Sequence, residues 1–226
     1  MEGSDNILTL LRKTKFNQDN ESLLLNHPYV KDAESGTLTR QKLQNLVREQ
    51  YFIQQYDQKS LEKMVERSKE ENLVECEKFF QMLVDGEIHA RPLILKMAKW
   101  LGLSVEQLEA YSCKMMAQAY PSYLAKCSLM EPVSYVTCAC AVNFPTWGRM
   151  CGRVRDAVKA SHTFPKPLVD DDMEFLSFFA SPIPGFDEMA LRCANEQGVV
   201  MNKGLETVVR LLQEAEVMFW DSIHQN

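Results

Sequence analysis

The spacing of apolar residues constrains this chain most, because it repeats at three and four positions almost throughout and so favours helices. From Thr39 the residues Leu43, Leu46, Val47, Gln50, Ile53, Leu61, Met64 and Val65 hold one face, while Lys42, Arg48, Glu62, Lys63 and Glu66 mark the wet side. That predicts one helix of about eight turns, started by Thr37 or Thr39 after Gly36. A second series, Leu73, Cys76, Phe79, Phe80, Leu83 and Val84, predicts a helix ending near Gly86. Pro92 is then expected to open another helix, through Leu95 and Ala98 to Leu101, with Gly102 closing it. Ser104-Val105-Glu106-Gln107 has the form of a capping box, and Pro121 and Pro132 are expected to break the pattern again.

Between Pro132 and Ala160 the chain is small and apolar at Val136, Cys138, Ala139, Ala141 and Val142, then basic at Arg149, Arg153 and Arg155. This reads as a central, mostly buried helix interrupted or bent at Pro145. Pro165-Lys166-Pro167 and Asp170-Asp171-Asp172 form a connection capping a helix from Met173 to Phe179, and Ser181-Pro182-Ile183-Pro184-Gly185 is a turn. Helices from roughly Asp187 to Gln197 and from about Leu205 to Ile223 complete the chain. Strand signals are nearly absent, since Asp85-Gly86 sits between helical patterns. The expectation is an all-α bundle, residues 1–226 forming one domain, because no flexible linker divides it.

Composition narrows the partners. With 25 Lys+Arg against 31 Asp+Glu the net charge is −6, which gives no hold on a phosphate backbone and makes nucleic acid an unexpected partner. No apolar run reaches the roughly 18 residues that span a bilayer, and Met1-Glu2-Gly3-Ser4-Asp5 lacks the features of a signal peptide, so no membrane is expected and the cytoplasm is the default address. The seven cysteines are odd in number and scattered, which suggests reduced thiols, and the four histidines stand nowhere near them in a zinc-like spacing. Neither a metal nor a cofactor is expected.

No phosphate loop, dinucleotide fingerprint, nucleophile elbow or zinc helix is present. What remains is acidic and aromatic residues on helices with apolar neighbours. Glu49 has Phe52 and Tyr56 on its own face, and a carboxylate beside rings suits a flat heterocycle, although the same pattern fits a surface Glu with core aromatics. Glu216 stands one turn before Trp220, at the edge of the stripe Val209, Leu212, Ala215, Phe219 and Ile223. Held against an indole in a dry cleft, its charged form would be disfavoured, as in a general acid; the alternative is a salt-bridged flank. Asn143-Phe144-Pro145-Thr146-Trp147 interrupts the central helix, and such a break is tolerated where freed backbone groups meet a partner. Trp147 fits a core or a pocket equally. Asp85, Glu87 and His89 cluster before Pro92, with His89 read as structural and Glu87 as a substrate contact. On a helix Cys138 and Cys140 lie on different faces, so one at most could reach a pocket.

The order of motifs resembles the TenA family of thiamin-related aminopyrimidine hydrolases, over essentially the whole chain. The resemblance rests on Asn26-His27-Pro28-Tyr29-Val30, Gly36-Thr37-Leu38, Arg48-Glu49-Gln50-Tyr51-Phe52, Ala119-Tyr120-Pro121-Ser122-Tyr123-Leu124 and the closing Glu216-Val217-Met218-Phe219-Trp220. It is nearest the plant, seed-maturation-protein branch that lacks the nucleophilic cysteine. The resemblance implies a haem-oxygenase-like helical bundle, assembled as a homo-oligomer, with the ligand inside each subunit. It implies that Glu49 holds the aminopyrimidine, that Phe52 packs on it, that Tyr123 is a pocket tyrosine, that Phe179 replaces a tyrosine, and that Glu216 protonates the leaving amine. Where the cysteine class has its nucleophile, this chain offers Ala141 or Val142, with Cys140 and Cys138 close by, which argues against thiaminase chemistry.

The expected function is therefore salvage: hydrolysis of N-formyl-4-amino-5-aminomethyl-2-methylpyrimidine to the aminopyrimidine, then to the 5-hydroxymethyl product and ammonia. Glu49 and Glu216 would converge on one slot walled by Phe52, Tyr123, Trp147 and Phe179. The alternative is a bundle that binds a pyrimidine without turning it over. A haem-degrading or quinone-forming oxygenase on the same scaffold is weaker, because no histidine lies in the first helix.

Overall fold

The computed structural model describes residues 5–164 and 169–225, and every regular element among them is helical. Asn6 caps α1 (Ile7–Lys13), and Thr14 both ends it and caps α2 (Lys15–Leu25). His27 caps α3 (Pro28–Glu34) through Nδ1, which accepts from the Tyr29 amide at 3.1 Å, and Pro28 fills the first helical position. Thr39 Oγ1 accepts from the Lys42 amide at 3.2 Å and starts α4 (Arg40–Glu70), the long helix expected from the apolar repeat. Asn72, with φ 58°, turns the chain into α5 (Val74–Trp100).

The proline expectations need correction. Pro92 does not open a helix, and none ends near Gly86: α5 passes through both without a break. The missing amide frees one carbonyl, that of Ile88, on a solvent-facing stretch where water can replace the bond, while Ala90, Leu93 and Ile94 stay packed in the core on either side. Pro121 likewise lies in the first turn of α7 (Ala119–Met130), where no intrahelical donor is lost. Pro132 does end a segment, as the cap residue of α8 (Val133–Ala160). Pro145 leaves α8 uninterrupted, because the Ala141 carbonyl it deprives of a donor accepts from the Arg12 guanidinium at 2.8 Å.

The remaining elements follow the sequence closely. Both bonds of the Ser104–Gln107 capping box form at the start of α6 (Val105–Glu109). The connection through Pro165-Lys166-Pro167 lies outside the described residues; a 3₁₀ turn at Asp170–Met173 leads into α9 (Glu174–Ala180). Gly185 takes φ +70°, closing the turn before α10 (Phe186–Glu196). Asn202 caps α11 (Lys203–His224). The cysteine expectation fails at one pair. Cys76 of α5 and Cys193 of α10 form a disulfide, 117 residues apart in sequence but with Cα atoms 4.7 Å apart, because α10 packs on α5. Cys113, Cys127, Cys138, Cys140 and Cys151 are free.

Two apolar cores are strung along the long helices. One gathers Leu43, Leu46, Ile94, Met97, Met150, Val154 and Trp220; the other Met64, Phe79, Phe80, Val136, Cys140, Leu205 and Leu212. α4, α5, α8 and α11 run through both. Each exchanges apolar for polar residues between them: Gln54 and Asp57 on α4, Glu87 on α5, Asn143 and Thr146 on α8, Gln213 and Glu216 on α11.

α8 and α9 meet at Gly148, where an added Cβ would stand 2.6 Å from the Phe179 carbonyl oxygen, a backbone atom that cannot swing aside. Gly148→Ala is expected to destabilise the fold by about 1–3 kcal/mol despite its better helix propensity. Gly86→Ala, whose Cβ would meet Phe178 at an ordinary 3.7 Å, is expected to be neutral or stabilising. Thermal denaturation of the two variants checks this, and equal midpoints would refute the claim that α9 leans on Gly148.

Candidate functional site

The polar layer between the cores opens onto a cavity of about 720 Å³. Gln50, Ile53 and Asp57 line it from α4, Met82, Leu83, Gly86 and Glu87 from α5, and Tyr120 from α7. α8 adds Phe144, Pro145, Trp147 and Gly148, α9 adds Phe178 and Phe179, and α11 adds Glu216 and Phe219. Its mouth is the turn Ser181–Gly185 with the start of α10. At the rim Arg12 donates to Asp187 at 2.8 Å and Arg149 pairs with Glu21, while Glu188 is exposed. The volume is that of a small-molecule site, and its wall is mostly apolar, with seven aromatic residues.

Glu216 is the best-defined polar group in the cavity. Asn143 Nδ2 donates to Oε2 of its carboxyl, and Trp220 Nε1–H donates to Oε1 at 3.3 Å. Burial nevertheless wins, pushing its pKa up to about 8 against the small opposing effect of the indole, so the protonated form dominates at neutral pH. Asn143 Oδ1 is buried with no protein partner among the described residues, and rotation of the amide would offer that oxygen to the carboxyl proton. This is a carboxylic acid set to donate a proton, held between the Asn143 amide and the Trp220 indole.

A second acidic pair lies in the same cavity. Burial holds Asp57 well above the usual carboxylate range, and the neighbouring Glu87 raises it further. Glu87 itself is pushed up to about 8 by burial. Its stem is partly accessible along the cavity wall, but Oε2 is buried. Tyr120 lies within electrostatic reach of all three acids, and burial ahead of their charge keeps its phenol protonated.

The sequence-derived candidates therefore divide. Glu216, Glu87, Trp147 and Phe179 converge on the cavity; Glu49, Phe52 and Tyr123 do not line it. Glu49 is fully buried, but its Oε1 accepts from the Tyr111 hydroxyl at 2.7 Å and the Lys114 amide at 3.0 Å, and its Oε2 from Gln118 Nε2 at 3.1 Å. It staples the 111–118 segment to α4 and so places the start of α7. The residue that reaches the cavity is its neighbour Gln50. Phe52 packs edge-on to Tyr51, and Tyr123 lies under the Lys126 ammonium, one turn beyond Tyr120. Sequence reasoning missed Gln50, Asp57 and Tyr120. The signal was present for two of them, since Gln50, Ile53 and Asp57 repeat at three and four on the buried face of α4. Of the Asp85, Glu87 and His89 cluster only Glu87 faces inward.

No cysteine lines the cavity among the described residues. Cys138 and Cys140 are buried, and burial raises both thiols away from the thiolate. Among the described residues no group of three or more His, Cys, Asp or Glu is placed to hold a metal ion. None of the described helices is long and apolar enough to cross a membrane.

Residues 18–226 match the model of the TENA/THI-4/PQQC family, and the chain belongs to that family. Its architecture recurs in solved structures of low identity. A TenA homologue from Pseudomonas syringae pv. tomato superposes with a TM-score of 0.76 at 11% identity, covering 98% of this chain and 94% of that one. A domain from Shewanella denitrificans, described as having a haem-oxygenase-like fold, gives 0.74 at 14% identity over 98% and 94%. A protein from Sulfolobus solfataricus described as a TenA-like thiaminase gives 0.59 at 13% identity over 92% and 93%. These likenesses establish the haem-oxygenase-like bundle that the family resemblance implied. A search of curated proteins returns no match.

The raised Glu216 pKa has a signed consequence for stability. Between the ordinary carboxyl value of 4.5 and about 8 the folded state keeps a proton that the unfolded state releases. Its contribution is therefore full below 4.5 and lost as pH rises towards 8. The melting temperature of Glu216→Gln relative to wild type is expected to rise steadily from pH 5 to pH 8.5 in differential scanning fluorimetry. Parallel profiles would show that Glu216 titrates as an ordinary surface acid.

Proposed function

We propose that this chain is a hydrolase of thiamin-derived pyrimidines, taking N-formyl-4-amino-5-aminomethyl-2-methylpyrimidine to the aminopyrimidine and then to the 5-hydroxymethyl compound. Family membership supports a thiamin-related hydrolase at the coarse level, and the likeness to a protein described as a TenA-like thiaminase agrees with it. The observation that carries the finer reading is the protonated Glu216, fixed by Asn143 and Trp220 inside an aromatic cavity.

The chemistry needs a donor more than a nucleophile. In the second hydrolysis the exocyclic C–N bond breaks as water forms the new C–O bond. Glu216 gives its proton to the departing amine, which leaves as ammonia, and the attacking water's proton restores the acid. Trp147, Phe178 and Phe179 hold the flat ring, and the Gln50 amide, with both donor and acceptor, faces its polar edge. Cys138 and Cys140 take no part, being turned away and held as thiols.

We place the enzyme in the cytoplasm as a homo-oligomer whose ligand is a small molecule, with no nucleic acid or membrane as partner; the net charge of −6 and the exposed Met115, Leu129 and Met130 support that picture. Incubation with the aminopyrimidine is expected to release ammonia, and Glu216→Gln to lower kcat by about 10²–10⁴-fold with little change in KM. Equal rates for wild type and variant would remove Glu216 from the mechanism, and tight product binding without ammonia release would favour the non-catalytic bundle.

A further inference from the structure

The Glu216 reading leaves part of the cavity unused. Asp57 and Glu87 come from adjacent helices, α4 and α5, and line the same chamber. Asp57 is 8% exposed, and its Oδ1 and the Oε2 of Glu87 are buried with no hydrogen-bond partner among the described residues. Buried carboxyl oxygens are ordinarily bonded, so these two are conspicuous.

The surrounding charge says what they lack. Away from the rim, the ionisable side chains lining the chamber are Asp57, Glu87, Glu216 and the Tyr120 phenol, with no lysine, arginine or histidine among them. The lining cation, Arg149, sits at the mouth and is committed to Glu21 and Thr146. Arg12, beside it, is committed to Asp187 and the Ala141 carbonyl. Neither donates to the pair. A ligand bringing positively charged N–H groups would satisfy both oxygens once the two carboxyl groups turn toward it, and the rings of Trp147, Phe178 and Phe179 favour a flat cation over a flat neutral molecule. An anion would find no countercharge inward of the rim.

We propose that Asp57 and Glu87 form a cation-holding pole of this cavity, distinct from the Glu216 acid, which receives an amidinium or ammonium group of an aromatic ligand. The proposal deepens the hydrolase reading and rests on it for the choice of site: the pyrimidine is bound as a cation, and selectivity for charge resides in α4 and α5 while proton donation resides in α11. Asp57 and Glu87 are thus specificity-determining residues for the ligand's charged nitrogen. Burial keeps the pair protonated while the cavity is empty; entry of a cation draws one proton off it, leaving a single negative charge to match the ligand's positive one.

Isothermal titration calorimetry at pH 7 with benzamidine, an aryl amidinium, and benzamide, its neutral near-isostere, tests this on the intact protein. Wild type is expected to bind benzamidine at least about tenfold more tightly than benzamide. Asp57→Asn and Glu87→Gln should each lose about tenfold for benzamidine and leave benzamide unchanged, while Glu188→Gln, an exposed acid at the rim, should shift benzamidine by less than about twofold. Equal binding of the two probes by wild type overturns the proposal without recourse to any variant. So does undiminished benzamidine binding by both pair variants. Amidinium preference without ammonia release from the aminopyrimidine would sink the hydrolase reading and leave the pole standing; ammonia release with no amidinium preference would do the reverse.

Discussion

Everything in this molecule turns on keeping carboxyl groups out of water. Asp57, Glu87 and Glu216 sit at mid-height on three helices, with apolar core above and below. Transfer of a charged carboxylate into such surroundings costs several kcal/mol unless it is compensated, so the groups keep their protons instead. That choice is made by the packing. It needs helices long enough to build a core on both sides of the polar layer, and α4, α5, α8 and α11 have that length. A shorter bundle would have left the same residues near an end, wet and ionised.

The frame that holds the acid reaches far along the sequence. His27 caps α3 through Nδ1, which leaves the proton on Nε2, facing Asp221 of α11 at 3.1 Å. Tyr29 stands edge-on to Trp220, and its hydroxyl donates to the Lys42 carbonyl of α4. Trp220 also packs on Trp147 and Phe219, two of the cavity's own rings. The His27-Pro28-Tyr29 motif therefore fixes the rotation of α11, and with it the direction of Glu216. Glu49 has the matching duty at the other end. By holding Tyr111, Lys114 and Gln118 it sets where α7 begins, and Tyr120 is the second residue of that helix.

This division explains which features could be read from the chain. Helix type, the span of α4, the capping box at Ser104 and the turn at Ser181–Gly185 follow from local spacing and capping, which carry over without knowledge of the fold. Local rules misjudged Pro92 and Pro145 because the compensation is tertiary: packed flanks in one case, and in the other a guanidinium from α1 at the orphaned carbonyl. Glu49 and Gln50 differ by one position, about 100° around the helix, and both are buried. Nothing in the local pattern says which faces a cavity and which faces a loop 62 or more residues away. Glu216 was legible because its partner Trp220 lies one turn along, whereas its other partner, Asn143, is 73 residues distant. The Cys76–Cys193 bridge was hidden for the same reason.

The cavity's chemistry is consistent once the central helix is considered beside the acids. Burial acts on thiols and carboxyls in the same direction, favouring the protonated form of each. A buried thiol loses its use, because only the thiolate attacks; a buried carboxyl gains one, because the acid donates. The burial that silences Cys138 and Cys140 in the core thus acts in the same direction as the burial that arms Glu216 in the cavity. Among the described residues the cavity wall carries no cysteine but, inward of the rim, three acids and several aromatic rings, and that set suits protonation of a leaving group with water as the attacking partner. The same dryness gives an amidinium or ammonium ligand its advantage, since a positive charge entering there meets carboxyl oxygens that no lysine or arginine among the described residues has claimed.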